Sequence, residues 1–387
     1  MTATTSRRDF LRGTVKAGAA ATLGATAAAA PVLGAPALVK NEPEHSLRFQ
    51  STWPSTDIFH EFAQDLAKKV NEMSGGRLRI EVLPANSVVK AFGLLTAVHK
   101  GVLDGGHGVS SYWYDTNTAF ALFGSSPGFG MDANTFLAWM AHGGGQKLYD
   151  ELLHRELGLN VQGFLYGPMP AQPLGWFRQP IRKTQDLKGL KFRSVGLAAE
   201  MFRELGMQPV PLPASDIVPW LDRELLDAGE FNNPSSDRAL GFPAVRTVCM
   251  MRSWHQPAEV FEVLFNRQRF DALPFELRSI LVYALQASSA DMSWKAANRY
   301  AEDYEEMARR QGVRYYRAPD ELLQAQLAAW RKVLARESEK NPFFRRVMDS
   351  QMRFARRVVA YQVEVQAPVS GQYDFWFNNR RKPSDPL

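Results

Sequence analysis

The sequence predicts a two-lobed α/β protein in which strands cross a hinge between the lobes and a long helix lies near the C-terminal end. Three observations lead to this prediction. Strand-like and helical periodicities alternate from Ser46 onward, the composition shifts to Gly, Pro and Met after 160–166, and the chain is mostly helical from Pro274. A chain of 387 residues is long enough to build two separate cores.

The first lobe begins with a β-α-β-α-β pattern. Strands are expected at 46–52 and 78–83, helices at 59–73 and 87–101, and a glycine-rich strand at 103–110. Helices that cross over between consecutive strands require those strands to be parallel. Because ligands of such open sheets bind beyond the carboxyl ends of the strands, we expect the functional site at that edge.

A second set of short segments predicts the second lobe. Helices are expected at 197–205, which Gly206 stops, and at 214–223, where Asp216 in the first turn suits the helix dipole. Strands are expected at 160–166, where the chain leaves the first lobe, at 174–177, 190–194, 226–231 and 245–254, and at 260–266, where it returns.

The remaining periodic segments are helical. One is expected at 137–156, one or two at 275–304, another from Pro319, and the last from Asn341 to about Val365. The domain prediction therefore assigns a leader to 1–37, lobe I to 38–167 with about 257–300, lobe II to 168–256, and C-terminal helices that pack on lobe II or the hinge to 301–387.

The first residues carry an export signal of the twin-arginine type. Ser-Arg-Arg-Asp-Phe-Leu-Arg at 6–12 precedes a weakly apolar Ala/Gly-rich stretch at 17–30, and Ala-Pro-Ala at 35–37 fits a cleavage site. The stretch is short and Pro31 interrupts it, so we expect cleavage rather than a membrane anchor. Since the twin-arginine route exports folded proteins, the mature chain is expected in the periplasm.

The charge balance argues against a nucleic-acid partner. The chain holds 46 basic and 40 acidic residues for a net +6, and the leader accounts for +3 of it. The basic residues are interspersed with acidic ones, so the weak positive field suits small anions. A single cysteine, Cys249, excludes an intramolecular disulfide and thiolate metal sites, and the seven scattered histidines lack metal-ligand spacing.

One segment predicts an anion-binding site. The residues DLKGLKFR at 186–193 read as a turn that ends at Gly189, a short strand, and then Arg193, whose planar fork of donors matches a carboxylate. Gln172 lies upstream in an extended stretch, and Glu230 lies downstream at a strand end. Three alternatives stay open: Arg193 could make a surface ion pair, Glu230 could only neutralise that arginine, and Gln172 could satisfy a strand edge.

Aromatic residues near predicted strand ends are candidates for pocket walls. Apolar walls with a few convergent polar groups characterise a small-molecule pocket, and a tyrosine hydroxyl could reach a second ligand oxygen. The alternative for each residue is an ordinary position in the core. The candidates are Tyr112, Trp113, Trp176, Phe231 and Trp254.

Several motifs together resemble the substrate-binding proteins of tripartite ATP-independent periplasmic (TRAP) transporters. The similarity covers nearly all of the mature chain. It implies the Venus-flytrap fold of periplasmic binding proteins, no enzymatic activity, and delivery of a bound solute to membrane permease subunits. The motifs are LDGG at 103–106, SSYW at 110–113, DLKGLKFR at 186–193, SDIVPWL at 215–221, LDAGEF at 226–231, NPFF at 341–344 and DSQM at 349–352.

The chain looks closest to the branch that binds 2-oxo or 2-hydroxy monocarboxylates, pyruvate- or lactate-like, together with a cation. By that resemblance Arg193 holds the carboxylate, while Gln172, Glu230, the backbone carbonyl of Phe231 and Gln256 bind Na⁺ or Ca²⁺. Hard cations prefer such oxygen ligands, and a cation would offset the repulsion between Glu230 and the ligand. Two positions depart from close relatives: Phe231 replaces a Trp, and Gln256 stands where some relatives carry Glu.

Two other functions stay open. One is a binding protein for another organic acid, such as a sugar acid, a dicarboxylate or an amino acid. The other is an exported hydrolase that uses a glutamate, although no His-Glu-x-x-His, dinucleotide or phosphate-loop motif supports an enzyme. The last helix has an apolar face, and some relatives exchange such a helix to form a homodimer; packing on its own lobe is the alternative.

Overall fold

A computed structural model describes residues 44–377 of the chain. The export signal expected over 1–37 and the tail beyond 377 lie outside the described residues. Over this part of the chain, no helix combines the length and the apolar character that a membrane crossing requires.

The first sheet contains the strands β1 (His45–Ser51), β2 (Leu78–Leu83), β3 (Gly105–Gly108), β4 (Val161–Met169) and β10 (Glu259–Asn266). They lie in the order β2-β1-β3-β10-β4. β1 is parallel to β2 and β3, which confirms the β-α-β-α-β start, whereas β10 is antiparallel to β3 and β4. β3 is shorter than the predicted strand, and its glycines allow close packing: a Cβ on Gly106 would lie 2.7 Å from Leu94.

The second sheet contains the strands β5 (Gly175–Phe177), β6 (Lys191–Arg193), β7 (Gln208–Val210), β8 (Ala228–Gly229), β9 (Val248–Met251) and β11 (Arg314–Arg317). They lie in the order β11-β9-β5-β8-β6-β7. The first sheet takes its strands from 45–169 and 259–266. The second takes five strands from 175–251 and also β11 from 314–317, a segment for which the sequence predicted no strand. The lobe boundaries themselves stay a prediction.

The helices are α1 (Ile58–Met73), α2 (Leu94–His99), α3 (Ala133–His142), α4 (Gly145–Glu151), α5 (Gly196–Glu204), α6 (Ala214–Asp222), α7 (Pro234–Leu240), α8 (Phe242–Val245), α9 (Arg267–Asp271), α10 (Phe275–Arg310), α11 (Asp320–Lys340), α12 (Pro342–Val365) and α13 (Val369–Phe377). The helix predicted at 137–156 is broken into α3 and α4. Gly144 has φ +88°, a left-handed conformation that ends one helix and opens the next.

Helix α1 shows how the sequence positions the site. Asp57 caps it, since its carboxylate accepts a hydrogen bond from the Phe59 N–H at 3.0 Å. Apolar residues at helical spacing, among them Phe59, Phe62 and Leu66, are buried in the core of the first sheet. The cap therefore fixes the loop between β1 and α1, at the carboxyl end of the first sheet where a ligand site was expected.

The C-terminal helices pack on two different regions. Helix α11 lies against α5, where Arg336 pairs with Glu200 at 3.2 Å. Helix α12 lies instead beside residues that precede β4, because Gln351 donates a hydrogen bond to the Leu122 carbonyl at 2.6 Å. The expectation that all these helices pack on the second lobe or the hinge is thus wrong for α12, whose buried face meets the region 118–142.

Candidate functional site

Residues that follow strands of both sheets enclose a small cavity. It encloses about 20 Å³, which is room for one water. Six of the lining residues were predicted from the sequence: Tyr112, Gln172, Arg193, Glu230, Phe231 and Gln256.

Arg193 is the last residue of β6 and is only 1% exposed. Its Nε donates to the Leu212 carbonyl at 2.9 Å, and its Nη1 donates to both the backbone carbonyl and the carboxylate of Glu230 at 3.1 Å. Within residues 44–377 its Nη2 donates no hydrogen bond. The guanidinium is therefore held rigidly on one side and has a free nitrogen on the other, as an anion anchor requires.

Glu230 follows β8 and is buried beside Arg193. Burial raises the pKa of its carboxyl, while the Arg193 charge and the nearby Ser194 hydroxyl offset part of that rise. Oε1 of Glu230 has no hydrogen-bond partner in the described part of the chain. A buried carboxylate oxygen without a partner is costly, and a bound cation or donor would remove that cost.

Gln172 and Gln256 lie side by side. The Gln172 backbone N–H donates to the Gln256 carbonyl at 3.2 Å, and both side chains are buried at the cavity. The Gln172 side chain donates to Glu259 Oε2 at 2.7 Å. The Gln256 side chain makes no hydrogen bond to a described residue, so its amide oxygen is available to a ligand or an ion.

A relay of hydrogen bonds fixes the orientation of the Gln172 amide. Ser253 Oγ accepts from the Gln326 amide at 2.9 Å and lies 2.6 Å from His255 Nδ1, so Ser253 donates to that nitrogen. His255 Nε2 then carries the proton and donates to Gln172 Oε1 at 3.3 Å. Burial, with the nearby Arg193 charge, lowers the pKa of His255 to about 3, which keeps the ring neutral, in agreement with a structural histidine.

Two polar residues of the cavity, Glu259 and Asn232, were not predicted from the sequence. Glu259, the first residue of β10, accepts hydrogen bonds on Oε2 from the amides of Gln172 and Asn232, each at 2.7 Å. Burial, and to a lesser degree the charge of Glu230, raises the pKa of Glu259 to about 8. A glutamate at the start of a largely apolar strand, EVFEVLFN at 259–266, was the available signal, because a buried carboxyl group needs a polar partner.

Aromatic rings complete part of the wall. The Phe231 ring lies 5.6 Å from the guanidinium carbon of Arg193 and 5.9 Å from the ring of Phe59. Tyr112 also faces the cavity, and burial raises the pKa of its hydroxyl to about 12, so it stays a neutral donor. Trp53 adds a further ring that the sequence reasoning did not single out.

Three of the tryptophans proposed as pocket walls do not line the cavity. Trp113 is buried and its Nε1 donates to Glu262 at 2.6 Å, which turns the indole into the first sheet. Trp176 likewise donates to Asp237 at 2.7 Å. Trp254 is 42% exposed. Trp113 and Trp176 lie in the core, where a buried carboxylate accepts a hydrogen bond from each indole N–H. Trp254 lies on the surface next to α11.

A Gly-x-Ser-x-Gly spacing at 124–128 does not form the nucleophile elbow of a hydrolase. Ser126 lies in a turn between two 3₁₀ helices, Thr118–Phe123 and Gly128–Gly130, rather than between a strand and a helix. Its hydroxyl accepts a hydrogen bond from the Gly128 N–H at 3.2 Å, and the side chain is buried. The geometry gives no support to an exported hydrolase.

The oxygen ligands at the cavity suit a hard cation that is bound with modest affinity. Within residues 44–377 no group of three or more His, Cys, Asp or Glu side chains is arranged to hold a metal ion. Oxygen ligands are nevertheless at hand, because Glu230 Oε1 is without a partner and the Gln256 amide is free. Amide and carboxylate oxygens are what Na⁺ and Ca²⁺ bind, whereas softer ions such as Zn²⁺ and copper prefer nitrogen or sulfur ligands.

The family and a curated relative match most of the chain. The family model for bacterial extracellular solute-binding proteins, family 7 (DctP), matches residues 49–341. The chain is 30% identical, over 82% of its length and 86% of the relative's, to the monocarboxylate 2-oxoacid-binding periplasmic protein of Nostoc sp. strain PCC 7120.

Two solved structures share the fold. A TRAP transporter solute-binding protein from Bordetella bronchiseptica, with calcium and picolinate bound, has a TM-score of 0.81 at 25% identity, covering 87% of this chain and 98% of that one. A TRAP periplasmic solute-binding protein from Pseudoalteromonas atlantica, with sodium and pyruvate bound, has a TM-score of 0.77 at 28% identity, covering 87% and 99%. The chain therefore belongs to the DctP family and is a TRAP transporter solute-binding protein, which transports and does not catalyse.

Proposed function

We propose that this protein captures a small 2-oxo or 2-hydroxy monocarboxylate, pyruvate- or lactate-like, together with Na⁺ or Ca²⁺, and delivers it to the membrane permease of a TRAP transporter. The observation that carries the proposal is the buried Arg193–Glu230 pair, which leaves one donor nitrogen and one acceptor oxygen free at a cavity. The similarity to a 2-oxoacid-binding protein and to a structure with bound pyruvate supports the ligand class.

Arg193 is the anchor for the ligand carboxylate. Its Nη2 is free, and the bonds of Nε and Nη1 to Leu212 and Glu230 hold the guanidinium plane in one orientation. A charge-assisted hydrogen bond at a site sheltered from water is stronger than one at the surface. Tyr112, a neutral donor at the cavity, is placed to donate to a second ligand oxygen.

Gln172, Glu230, the Phe231 carbonyl and Gln256 hold the cation in this proposal. The ion supplies positive charge that bridges the protein oxygens to the ligand carboxylate and its neighbouring 2-oxo or 2-hydroxy oxygen. Glu230 needs such a partner, because its free Oε1 would otherwise face the ligand anion. Gln172 contributes its carbonyl oxygen once the weak 3.3 Å contact with His255 is released.

Ligand capture involves closure of two lobes about a hinge. Arg193 and Glu230 follow strands of the second sheet, while Trp53 and Tyr112 follow strands of the first, so ligand contacts join both lobes. The lobes of this proposal are 38–167 with about 257–300, and 168–256. Closure expels water and strengthens the polar contacts to the ligand.

Export and assembly follow from the two ends of the chain. The twin-arginine motif at 6–12 directs the folded protein to the periplasm. At the other end, α13 is exposed along its whole length, including Phe375, Trp376 and Phe377. A second copy of the chain is the occupant we propose for this apolar surface, because the segment has no buried residue in its own subunit.

Isothermal titration calorimetry tests the proposal. Wild-type protein, treated with chelator and held in sodium-free buffer, is titrated with pyruvate and with lactate before and after addition of NaCl or CaCl₂. We expect binding that depends on the cation, and a loss of several kcal/mol in Arg193→Ala, where Glu230 is left unpaired. Full affinity for pyruvate or lactate in the absence of cations would contradict the proposed cation site. Unchanged affinity in Arg193→Ala would contradict the role of Arg193 as the carboxylate anchor.

A further inference from the structure

Glu259 is a second carboxylate at the ligand cavity. Glu259 opens β10 of the first sheet, and Glu230 follows β8 of the second, so the cavity receives one carboxyl group from each sheet. Both side chains are buried. The neutral Gln256 lies only three residues before Glu259 and lines the same space, so the negative charge on this side of the cavity comes from position 259.

Two amide donors in fixed orientations face one oxygen of Glu259. Its Oε2 accepts two amide N–H groups, from Gln172 and Asn232, at 2.7 Å each. Neither amide is free to rotate: Gln172 Oε1 faces His255 Nε2 at 3.3 Å, and Asn232 Oδ1 accepts from Asn233 at 3.1 Å. Donors fixed in this orientation stabilise a negative charge on the oxygen that they face.

The other oxygen of Glu259 is available. Its Oε1 accepts no hydrogen bond from a described residue, and Glu230 Oε1 is likewise without a partner. Two carboxylate oxygens, one from each sheet, are therefore open to the same cavity. Two such oxygens, together with the Gln256 amide oxygen at the same cavity, form a set of oxygen donors that suits Ca²⁺.

The net charge of the cavity determines whether its oxygen ligands favour a monovalent or a divalent cation. Burial raises the pKa of Glu259 to about 8, and a bound cation displaces the proton from that carboxyl. In the cation-bound site Glu230 and Glu259 then contribute two negative charges against one positive charge from Arg193, which leaves a net of −1. A monocarboxylate ligand brings the total to −2. A monovalent ion offsets only half of that charge, whereas a divalent ion neutralises it in a site that water does not reach.

We infer that Glu259 is a direct ligand of the bound cation and makes the site select Ca²⁺ over Na⁺. The inference rests on the proposed capture of a monocarboxylate with a cation and adds the residue that sets the choice of ion. Because Glu259 belongs to the first sheet and Glu230 to the second, one ion held by both also ties the two sheets together in the closed form.

The test compares calcium and sodium affinities in two glutamate variants. Calorimetric titrations with CaCl₂ and, separately, with NaCl are run at saturating pyruvate in buffer free of the other ion. For Glu259→Gln we expect Ca²⁺ binding to weaken on the order of tenfold to a hundredfold, with a much smaller change for Na⁺. Glu259→Asp retains the charge and is expected to keep the preference for Ca²⁺ at reduced affinity.

Glu262→Gln is the matched control. Glu262 lies on the same strand, is also buried, and has a pKa that burial raises to about 8, yet its carboxylate bonds Trp113 and does not line the cavity. We expect this variant to keep wild-type affinities for both ions. A loss equal to that of Glu259→Gln would assign the effect to general destabilisation and overturn the inference.

The outcomes separate this inference from the proposed function. Wild-type protein that binds Na⁺ more tightly than Ca²⁺, or a ratio of the two affinities that Glu259→Gln and Glu259→Asp leave unchanged, overturns the role of Glu259 alone. Wild-type protein that binds neither pyruvate nor lactate with either ion overturns the proposed function as well.

Discussion

The buried pair of Arg193 and Glu230 is the most informative contact at the scale of single residues. A buried ion pair adds little net stability, because removing two charges from water costs about as much as their attraction returns. Deleting one partner is far more damaging, about 3–5 kcal/mol, since the other charge is left buried and unpaired. A function in binding gives a better reason for placing these charges together than stability does.

Arg193→Lys tests whether the shape of the guanidinium matters beyond its charge. Lysine keeps the charge but cannot bond Leu212 and Glu230 while also presenting a free nitrogen to the ligand. We expect pyruvate affinity to fall by about 2 kcal/mol or more by calorimetry. Arg246→Lys is the control, because Arg246 is also buried but donates to backbone carbonyls away from the cavity. Equal losses of ligand affinity in the two variants would contradict the anchor.

The sequence indicated only some of the residues that line the cavity. Gln172, Arg193 and Glu230 stood out because polar residues at the ends of apolar strands have few other roles. Glu259 and Asn232 did not, because their importance comes from mutual contacts between residues 27 positions apart. The position of Trp113 away from the cavity was not evident from the sequence for the same reason: only the fold places the Glu262 carboxylate beside its indole.

At the scale of elements, the cap of α1 connects the two halves of the site. Asp57 caps that helix beside the first sheet, and its carboxylate also accepts a hydrogen bond from Ser236 of α7 at 2.8 Å. Helix α7 follows β8 of the second sheet. A hydrogen bond between elements of different sheets stabilises the closed form in which both lie together, and it is lost if the lobes separate.

Ser236→Ala is expected to weaken this connection. Removing the Ser236 hydroxyl leaves the buried Asp57 carboxylate with one hydrogen-bond donor fewer, which lowers the free energy of unfolding by on the order of 1–3 kcal/mol. Because the contact is made in the closed form, ligand affinity should also fall. Ser235→Ala is the neutral control, since the buried Ser235 hydroxyl has no hydrogen-bond partner among residues 44–377. Urea denaturation and calorimetry of both variants check the expectation, and indistinguishable variants would contradict it.

The exposed apolar residues of helix α13 lead to a prediction of the oligomeric state. In multi-angle light scattering we expect the wild-type protein to be a dimer and a chain that ends at Val365 to be a monomer. Trp376→Ser should weaken the dimer, whereas Trp294→Ser on α10 should not, although these two side chains are similarly exposed at 69% and 73%. A wild-type monomer, or a dimer that persists without 366–387, would contradict the proposal that a second copy of the chain covers this surface.

At the scale of the whole molecule, buried carboxyl groups determine how stability depends on pH. Burial is the largest cause that raises the pKa of Asp237 to about 7 and of Glu259 and Glu262 to about 8. In the unfolded chain these groups ionise near their ordinary values of 3.8 to 4.5. Between pH 6.5 and 8 the folded protein thus holds more protons than the unfolded one, and stability falls as pH rises.

The melting temperature of ligand-free, cation-free protein is therefore expected to decrease from pH 6.5 to pH 8. The buried histidines act in the opposite direction only at lower pH, because the pKa of His107 and His255 is lowered to about 3. Glu262→Gln removes one of the three carboxyls and should flatten the decrease without changing pyruvate affinity. Differential scanning fluorimetry across the range checks this, and a flat or rising profile for the wild type would contradict it.

The sequence by itself determined the architecture and the family. Periodicity fixed the order of strands and helices in 46–110, because local alternation follows directly from which side of an element is buried. Short strands such as β8 and the break at Gly144 were less predictable, since tertiary packing sets where pairing begins and ends. Sequence motifs also sufficed for the family, which the match over residues 49–341 confirms.

Only the tertiary structure decided how the site is assembled. The cavity joins Trp53, Gln172, Glu230 and Glu259, which lie on four different segments of the chain and come together because the chain crosses between two sheets. Hydrogen bonding and charge act over a few ångströms in space, and periodicity records only neighbours along the chain. Which carboxylates face one another, and therefore which ion the cavity suits, is a property of the fold and not of any one motif.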